Sequence, residues 1–248
     1  MTHGWRARIG YITPTVIEVV AHDFYRFAPE NVALVGVTCG IDDWRPEEFE
    51  RGLAQVSHFA RYLGERGVDF VIHGGGPLVV SRGPEFEGPI VEAVREAAGV
   101  DATTSVRSGM EALRYLDARR VVIASPYPDA HNAALAGHLA ANGFEVIHSA
   151  GRDLPFKEIQ DETPDQIRDF ALASVTAAEG AEGAGGWDAL YLPCPQWRAS
   201  EAVVALEAAT GRPAVTSTHA NAFAAFRAVG LQDPIRGHGR LLHSLAGA

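Results

Sequence analysis

Short apolar runs alternate with longer stretches of helical period along the whole chain. The runs predict strands at Arg8–Ile12, Val32–Thr38, Val68–Ile72, Asp101–Thr103, Arg120–Ala124, Phe144–His148, Ala189–Leu192 and Ala214–Thr216. The periodic stretches predict helices at Val16–Phe27, Pro46–Gly64, Phe86–Ala97, Val106–Leu116, Ala130–Ala141, Pro164–Ala178, Ala199–Ala209 and His219–Val229. Pro46 and Pro164 stand in a first helical turn, where the missing N–H costs nothing. Gly143 and Gly230 stand just past helix ends, as stop signals do. Strands alternating with helices predict an α/β protein with parallel sheets covered on both faces. The Gly/Ala-rich segment Glu179–Gly186 reads as an exposed, flexible connector ahead of Trp187.

The chain also repeats itself. Arg8-Ile-Gly-Tyr-Ile-Thr13-Pro14-Thr15 aligns with Arg120-Val-Val-Ile-Ala-Ser125-Pro126-Tyr127. Asp69-Phe-Val-Ile-His73-Gly74-Gly75-Gly76 aligns with Asp188-Ala-Leu-Tyr-Leu192-Pro193-Cys194-Pro195, and Gly99-Val-Asp-Ala-Thr-Thr104-Ser105 with Gly211-Arg-Pro-Ala-Val-Thr216-Ser217. The offsets are 112, 119 and 112, and the longer one brackets the Gly/Ala-rich insertion. Three matches in order imply two related flavodoxin-like halves of about four parallel strands each. We expect residues 1–116 plus 217–248 in the first half and 117–216 in the second.

Composition narrows the function classes. The chain has 248 residues, 47% of them hydrophobic and 21% charged, enough for one large or two small domains. A formal charge of −10 argues against nucleic acid or an anionic membrane as the main partner. No apolar run approaches the ~20 residues needed to span a bilayer. Basic residues near the N-terminus are followed by no apolar signal core, and two cysteines cannot build a disulfide framework; both favour the cytoplasm. There is no CxxC, HExxH or Walker A motif, so no metal and no cofactor is expected.

The duplication places the chemistry. Ligands of open α/β sheets bind beyond the C-terminal strand ends, and all three repeated segments end there. Two halves facing each other would line one cleft with Thr13, Pro14, the Gly74–Gly76 turn and Ser105 from one side. Ser125, Tyr127, Cys194, Gln196 and Ser217 would come from the other. Hydroxyls and backbone N–H groups suit a carboxylate or a developing enolate. The competing reading is that threonines and serines at strand ends only cap the next helix.

The duplicated halves, the Thr13-Pro14 turn, Ser125-Pro126-Tyr127, and Cys194 followed by Gln196-Trp197-Arg198-Ala199 resemble the aspartate/glutamate racemase superfamily. The similarity is nearest to its maleate cis-trans isomerases and arylmalonate decarboxylases, and spans essentially the full length. The resemblance implies a cofactor-independent reaction at a carbon next to a carboxylate. Racemases and maleate isomerases of this type place one cysteine in each half. Here the repeat sets Gly75 opposite Cys194, the pattern of the decarboxylases, in which one thiol protonates an enediolate from one face. The resemblance therefore implies a small carboxylate or dicarboxylate substrate, Cys194 as proton donor, and Gly75, Gly76, Thr13, Ser125 and Tyr127 as holders of the carboxylate. Two departures stand out: Gly76-Pro77 replaces a Thr-Ser pair, and Pro195 brings no N–H. Maleate-type isomerisation, amino-acid racemisation and a non-catalytic carboxylate-binding module are the alternatives. Homo-oligomerisation is open.

Residue by residue, Cys194 is an active thiol, its pKa lowered by a following helix, or a small buried hydrophobe. Gly74–Gly76 is a nest of amides or a turn needing positive φ. Tyr127 is a hydroxyl donor or a half-buried aromatic. His73 and His219 fall in cleft-facing segments and can titrate near neutrality. The remaining histidines read as structural or surface residues, with His238 in a C-terminal tail. Cys39 ends the second strand and reads as structural rather than as the missing thiol. Asp42-Asp43-Trp44 reads as a loop capping the next helix, with a lid role as the alternative.

Overall fold

The computed structural model describes residues 3–180 and 186–247. The Glu179–Gly186 connector therefore falls largely outside the described residues. Eight strands form two four-stranded parallel sheets. The first holds β1 (Ala7–Thr13), β2 (Val32–Thr38), β3 (Phe70–His73) and β4 (Asp101–Thr104) in the order β2-β1-β3-β4. The second holds β5 (Arg120–Ser125), β6 (Glu145–Gly151), β7 (Ala189–Leu192) and β8 (Ala214–Thr216) in the order β6-β5-β7-β8. The topologies match, and so do the registers: His73 pairs with Thr104 at the end of β3 as Leu192 pairs with Thr216 at the end of β7. Central strands β1, β3, β5 and β7 are almost wholly buried, so they read as continuous apolar runs.

The helices are α1 (Glu18–Phe27), α2 (Pro46–Leu53), α3 (Val56–Glu65), α4 (Gly76–Val80), α5 (Glu87–Ala98), α6 (Ser105–Tyr115), α7 (Asp129–Ala141), α8 (Pro164–Gly180), α9 (Val203–Thr210), α10 (Ser217–Ala228) and α11 (Gly239–His243). Beside α4, which was not expected, three regions differ from the sequence expectation. The helix expected over Pro46–Gly64 breaks at Ala54-Gln55, so that Phe49 and Val56 both reach the core. The helix expected from Ala199 begins as a 3-10 turn, Arg198–Ala202. The expected C-terminal tail is not loose. It carries α11, and Leu241, Leu242 and Leu245 are buried against the core.

One apolar cluster runs through both halves, joining Ile9, Tyr11 and Phe70 to Val121, Ile123 and Leu190. A smaller cluster around Val71, Leu63 and Ile90 lies on the other face of the first sheet. After β8 the chain returns to the first half, where α10 packs on α6, α1 and β3. Thr104 and Thr216 cap α6 and α10 in the same way: each side chain accepts from the backbone N–H three residues on. The capping reading thus holds for these two threonines, and leaves Ser105 and Ser217 between the halves.

Candidate active site

The C-terminal ends of the two sheets meet around a cleft. From the first half it is lined by Tyr11, Thr13, Pro14, Trp44, Gly75 and Leu78; from the second by Tyr127, Phe156, Ile159, Cys194, Pro195 and Gln196, among others. A smaller cavity beside it is walled by Gly76, Ser105, Tyr127, Tyr191 and Ser217.

Cys194 follows β7 with φ +89°, in the left-handed region where a side chain carries strain. Its counterpart across the pseudo-dyad, Gly75, follows β3 with φ +81°. Both turns throw the next residues back toward the cleft, and only one bears a side chain. The backbone N–H of Cys194 donates to Ser217 Oγ at 3.2 Å. Its sulfur lies near the phenol of Tyr127 and the backbone N–H groups of Gln196 and Trp197, the last of which donates to the Cys194 carbonyl at 3.2 Å. These donors favour a thiolate, but burial outweighs them and pushes the thiol up to about 11. This corrects the expectation of a lowered pKa: the thiol is fully enclosed, and burial outweighs the nearby donors. At neutral pH the group is a thiol with a proton to give.

Tyr127 is buried, its hydroxyl close to both the Cys194 sulfur and Gly76. Burial raises its pKa, so it stays a neutral donor. Thr13 and Pro14 line the cleft at the end of β1. Gly75 does too, and a Cβ there would stand 3.0 Å from Pro14 Cγ. The Gly74 N–H is not available to a ligand, since it donates to the Ile12 carbonyl at 2.8 Å.

Ser125 departs from its expected role. Its hydroxyl donates to Asn132 Oδ1 at 2.6 Å and accepts from Tyr127 N at 3.1 Å. It shapes the turn that carries Tyr127. Gln196 lines the cleft, and its NH2 group donates one hydrogen bond to the Val16 carbonyl across the halves. His73 and His219 are buried and do not line the cleft. Burial pulls His73 down to about 4 and His219 to about 3, so both are neutral near pH 7. His219 Nδ1 lies 3.0 Å from Thr216 Oγ1, and its ring packs on Phe27. Cys39 is buried in the smaller core cluster, away from the cleft, with its thiol also pushed up to about 11 by burial.

Sequence reasoning missed Phe156 and Ile159 in the apolar wall, and gave Trp44 only as part of an alternative lid. Trp44 reaches over from the loop after β2, and its indole N–H donates to the Leu154 carbonyl of the second half at 3.1 Å. Its rings meet Phe156 edge-on at 4.6 Å and Tyr127 at 5.7 Å. Beside it Lys157 pairs with Asp42 at 2.7 Å. The signal was in the duplication: the loops after β2 and β6 are equivalent, so residues of both belong at one rim. Among the described residues no three His, Cys, Asp or Glu side chains converge as a metal site.

Comparison with known proteins agrees with this arrangement. A family model described as arylmalonate decarboxylase matches residues 9–242. The chain belongs to the arylmalonate decarboxylase family. Within this family it is 29% identical over 234 residues to the arylmalonate decarboxylase of Bordetella bronchiseptica, covering 94% of this chain and 95% of that one. A maleate isomerase of Pseudomonas putida is 32% identical over 141 residues, or 56% of this chain and 53% of that one. Among solved structures, a cysteine-exchange double mutant of arylmalonate decarboxylase in the liganded form superposes with a TM-score of 0.87 at 26% identity, covering 95% and 98% of the two chains. Nocardia farcinica maleate cis-trans isomerase shares the fold, with a TM-score of 0.86 at 21% identity over 98% and 100%. The protein is accordingly an enzyme of the branch that holds these decarboxylases and isomerases.

Proposed function

We propose that this enzyme decarboxylates a small malonate-type acid through an enediolate, with Cys194 as the sole proton donor. The observation that carries the reading is a neutral thiol in the cleft opposite a glycine. In the step we envisage, the bond between the α-carbon and one carboxylate breaks and CO2 leaves. Its electron pair passes into the remaining carboxylate as an enediolate. The Cys194 S–H then protonates the α-carbon from one face, and the thiolate recovers a proton from solvent. In this reading the phenol of Tyr127 and the hydroxyl of Thr13, both lining the cleft, hold the retained carboxylate as charge develops. Trp44, Leu78, Phe156 and Ile159 suit an apolar substituent on the α-carbon. Gly75 stands where the equivalent of Cys194 would be, so two-base racemisation finds no second thiol there.

A thiolate adding to an alkene, as maleate isomerisation would ask, is disfavoured by the same burial that keeps the proton on sulfur. The test is proton NMR in D2O with maleate, methyl- and phenylmalonate, aspartate, glutamate and hydantoins, using wild type and Cys194→Ala. CO2 loss from a malonate with one deuteron placed at the α-carbon, absent in the variant, supports the reading. Maleate converted to fumarate, or ligand-induced stabilisation with no turnover of any acid, overturns it.

A further inference from the structure

We infer that Gln196 makes the enzyme selective for acids carrying a hydrogen-bond donor, a hydroxyl or an amine, on the α-carbon. The inference rests on the reading of the cleft as an acid-binding site. Gln196 is 5% exposed and lines the cleft two residues after the thiol. Its amide has a donor end and an acceptor end, and the structure fixes which is which. The NH2 group faces the Val16 carbonyl in the loop after β1, so a flip would set two carbonyl oxygens against each other. The other end, Oε1, is buried and has no partner among the described residues.

No donor among the described residues bonds it, although the hydroxyls of Thr13, Thr15 and Tyr127 line the same cleft. Pro14, Pro77 and Pro195 line this cleft without an N–H, and the indole N–H of Trp44 is bonded to Leu154. A carboxylate placed against Oε1 would meet another acceptor. A methyl group would leave the amide oxygen unpaired and desolvated. An α-hydroxyl or α-amino group would satisfy it, because Gln196 lines the same cleft two residues after the thiol that must reach the α-carbon. Leaving one buried acceptor unpaired corresponds to a preference of about tenfold to a hundredfold.

The test uses a matched pair of non-reacting acids, mandelate and 2-phenylpropanoate, which differ by hydroxyl against methyl. Binding to wild type and Gln196→Met is measured by calorimetry, with circular dichroism and thermal melts to verify that the variant is folded. The expected result is mandelate bound at least tenfold tighter by wild type, and a difference within about twofold in Gln196→Met. Equal binding of the pair by wild type overturns the inference, as does a preference that survives the substitution. In either case turnover of malonates by wild type decides the decarboxylation reading separately. If neither acid binds and no malonate turns over, both fall together.

Discussion

Cys194 combines two properties that pull against each other. Its left-handed φ of +89° aims a reactive group into the cleft, and its burial keeps that group protonated. Strain of this kind costs about 1 kcal/mol, which a glycine would not incur. Cys194→Gly is therefore expected to unfold about 1 kcal/mol later than Cys194→Ala in urea, while both lose about 10²–10⁴ in kcat/KM, the usual worth of a positioned general acid. If the glycine variant is the less stable of the two, the turn is not strained. The raised thiol pKa makes a separate prediction. Reaction with iodoacetamide, followed at this residue by peptide mass spectrometry to separate it from Cys39, is expected to climb about tenfold per pH unit from pH 8 to 10, because only the thiolate reacts. A plateau by pH 8 would place a thiolate in the cleft and favour nucleophilic addition over proton donation.

At the scale of elements, the regular pieces were legible and the irregular ones were not. β2, β7 and β8 begin and end where the apolar runs do, and the repeated Thr-Ser pairs pointed to the ends of β4 and β8. Phe156 and Ile159 escaped because they sit on a 3-10 turn, where no period separates a cleft wall from a core, and the Trp44 loop reads first as a helix cap. The same limit hid α4, a single turn opened by the left-handed Gly75, and α11, five residues long. Ser125 and Gln196 were found as site residues, but which of their atoms were free was a matter of neighbours distant in sequence, Asn132 and Val16. The wall around Trp44 joins the loop after β2 to the loop before Phe156, so this side chain should act on binding more than on chemistry. Trp44→Ala is expected to raise KM for an aryl-bearing acid at least tenfold with kcat changed by no more than a few-fold. Trp44→Phe, which keeps a ring but loses the bond to Leu154, should fall between. A fall in kcat with KM unchanged would move Trp44 from the binding wall into the reaction itself.

For the whole molecule the question is whether two similar halves behave as one body. Glu87, at the start of α5, is buried between them: it accepts from Thr104 Oγ1 at 2.7 Å and lies 3.4 Å from Nε2 of His138 on α7 of the second half. Burial pushes its carboxyl up, but His138, Thr104 and Arg107 together outweigh it and hold the group below the ordinary glutamate value. A depressed carboxyl stabilises the fold above the unfolded value near 4.3, and that contribution is lost as the pH falls through the folded value. Glu87→Gln is thus expected to cost about 2 kcal/mol in urea unfolding at pH 7, with the gap from wild type shrinking by half or more at pH 3. A gap independent of pH would mean that shape, and not charge, matters at this position. The apolar cluster makes the stronger demand. It crosses from β1 and β3 into β5 and β7, and α10 lies in sequence after the second sheet but packs on the first half. Neither sheet can expose its inner face without the other losing its cover. The chain is larger than most domains that unfold in one step. Even so, calorimetry is expected to give a single peak whose calorimetric and van 't Hoff enthalpies agree, and residues 117–216 alone should show no cooperative melt. Two resolved transitions, or a folded 117–216 fragment, would show that each half carries a core of its own and that the cleft is a contact between independent bodies.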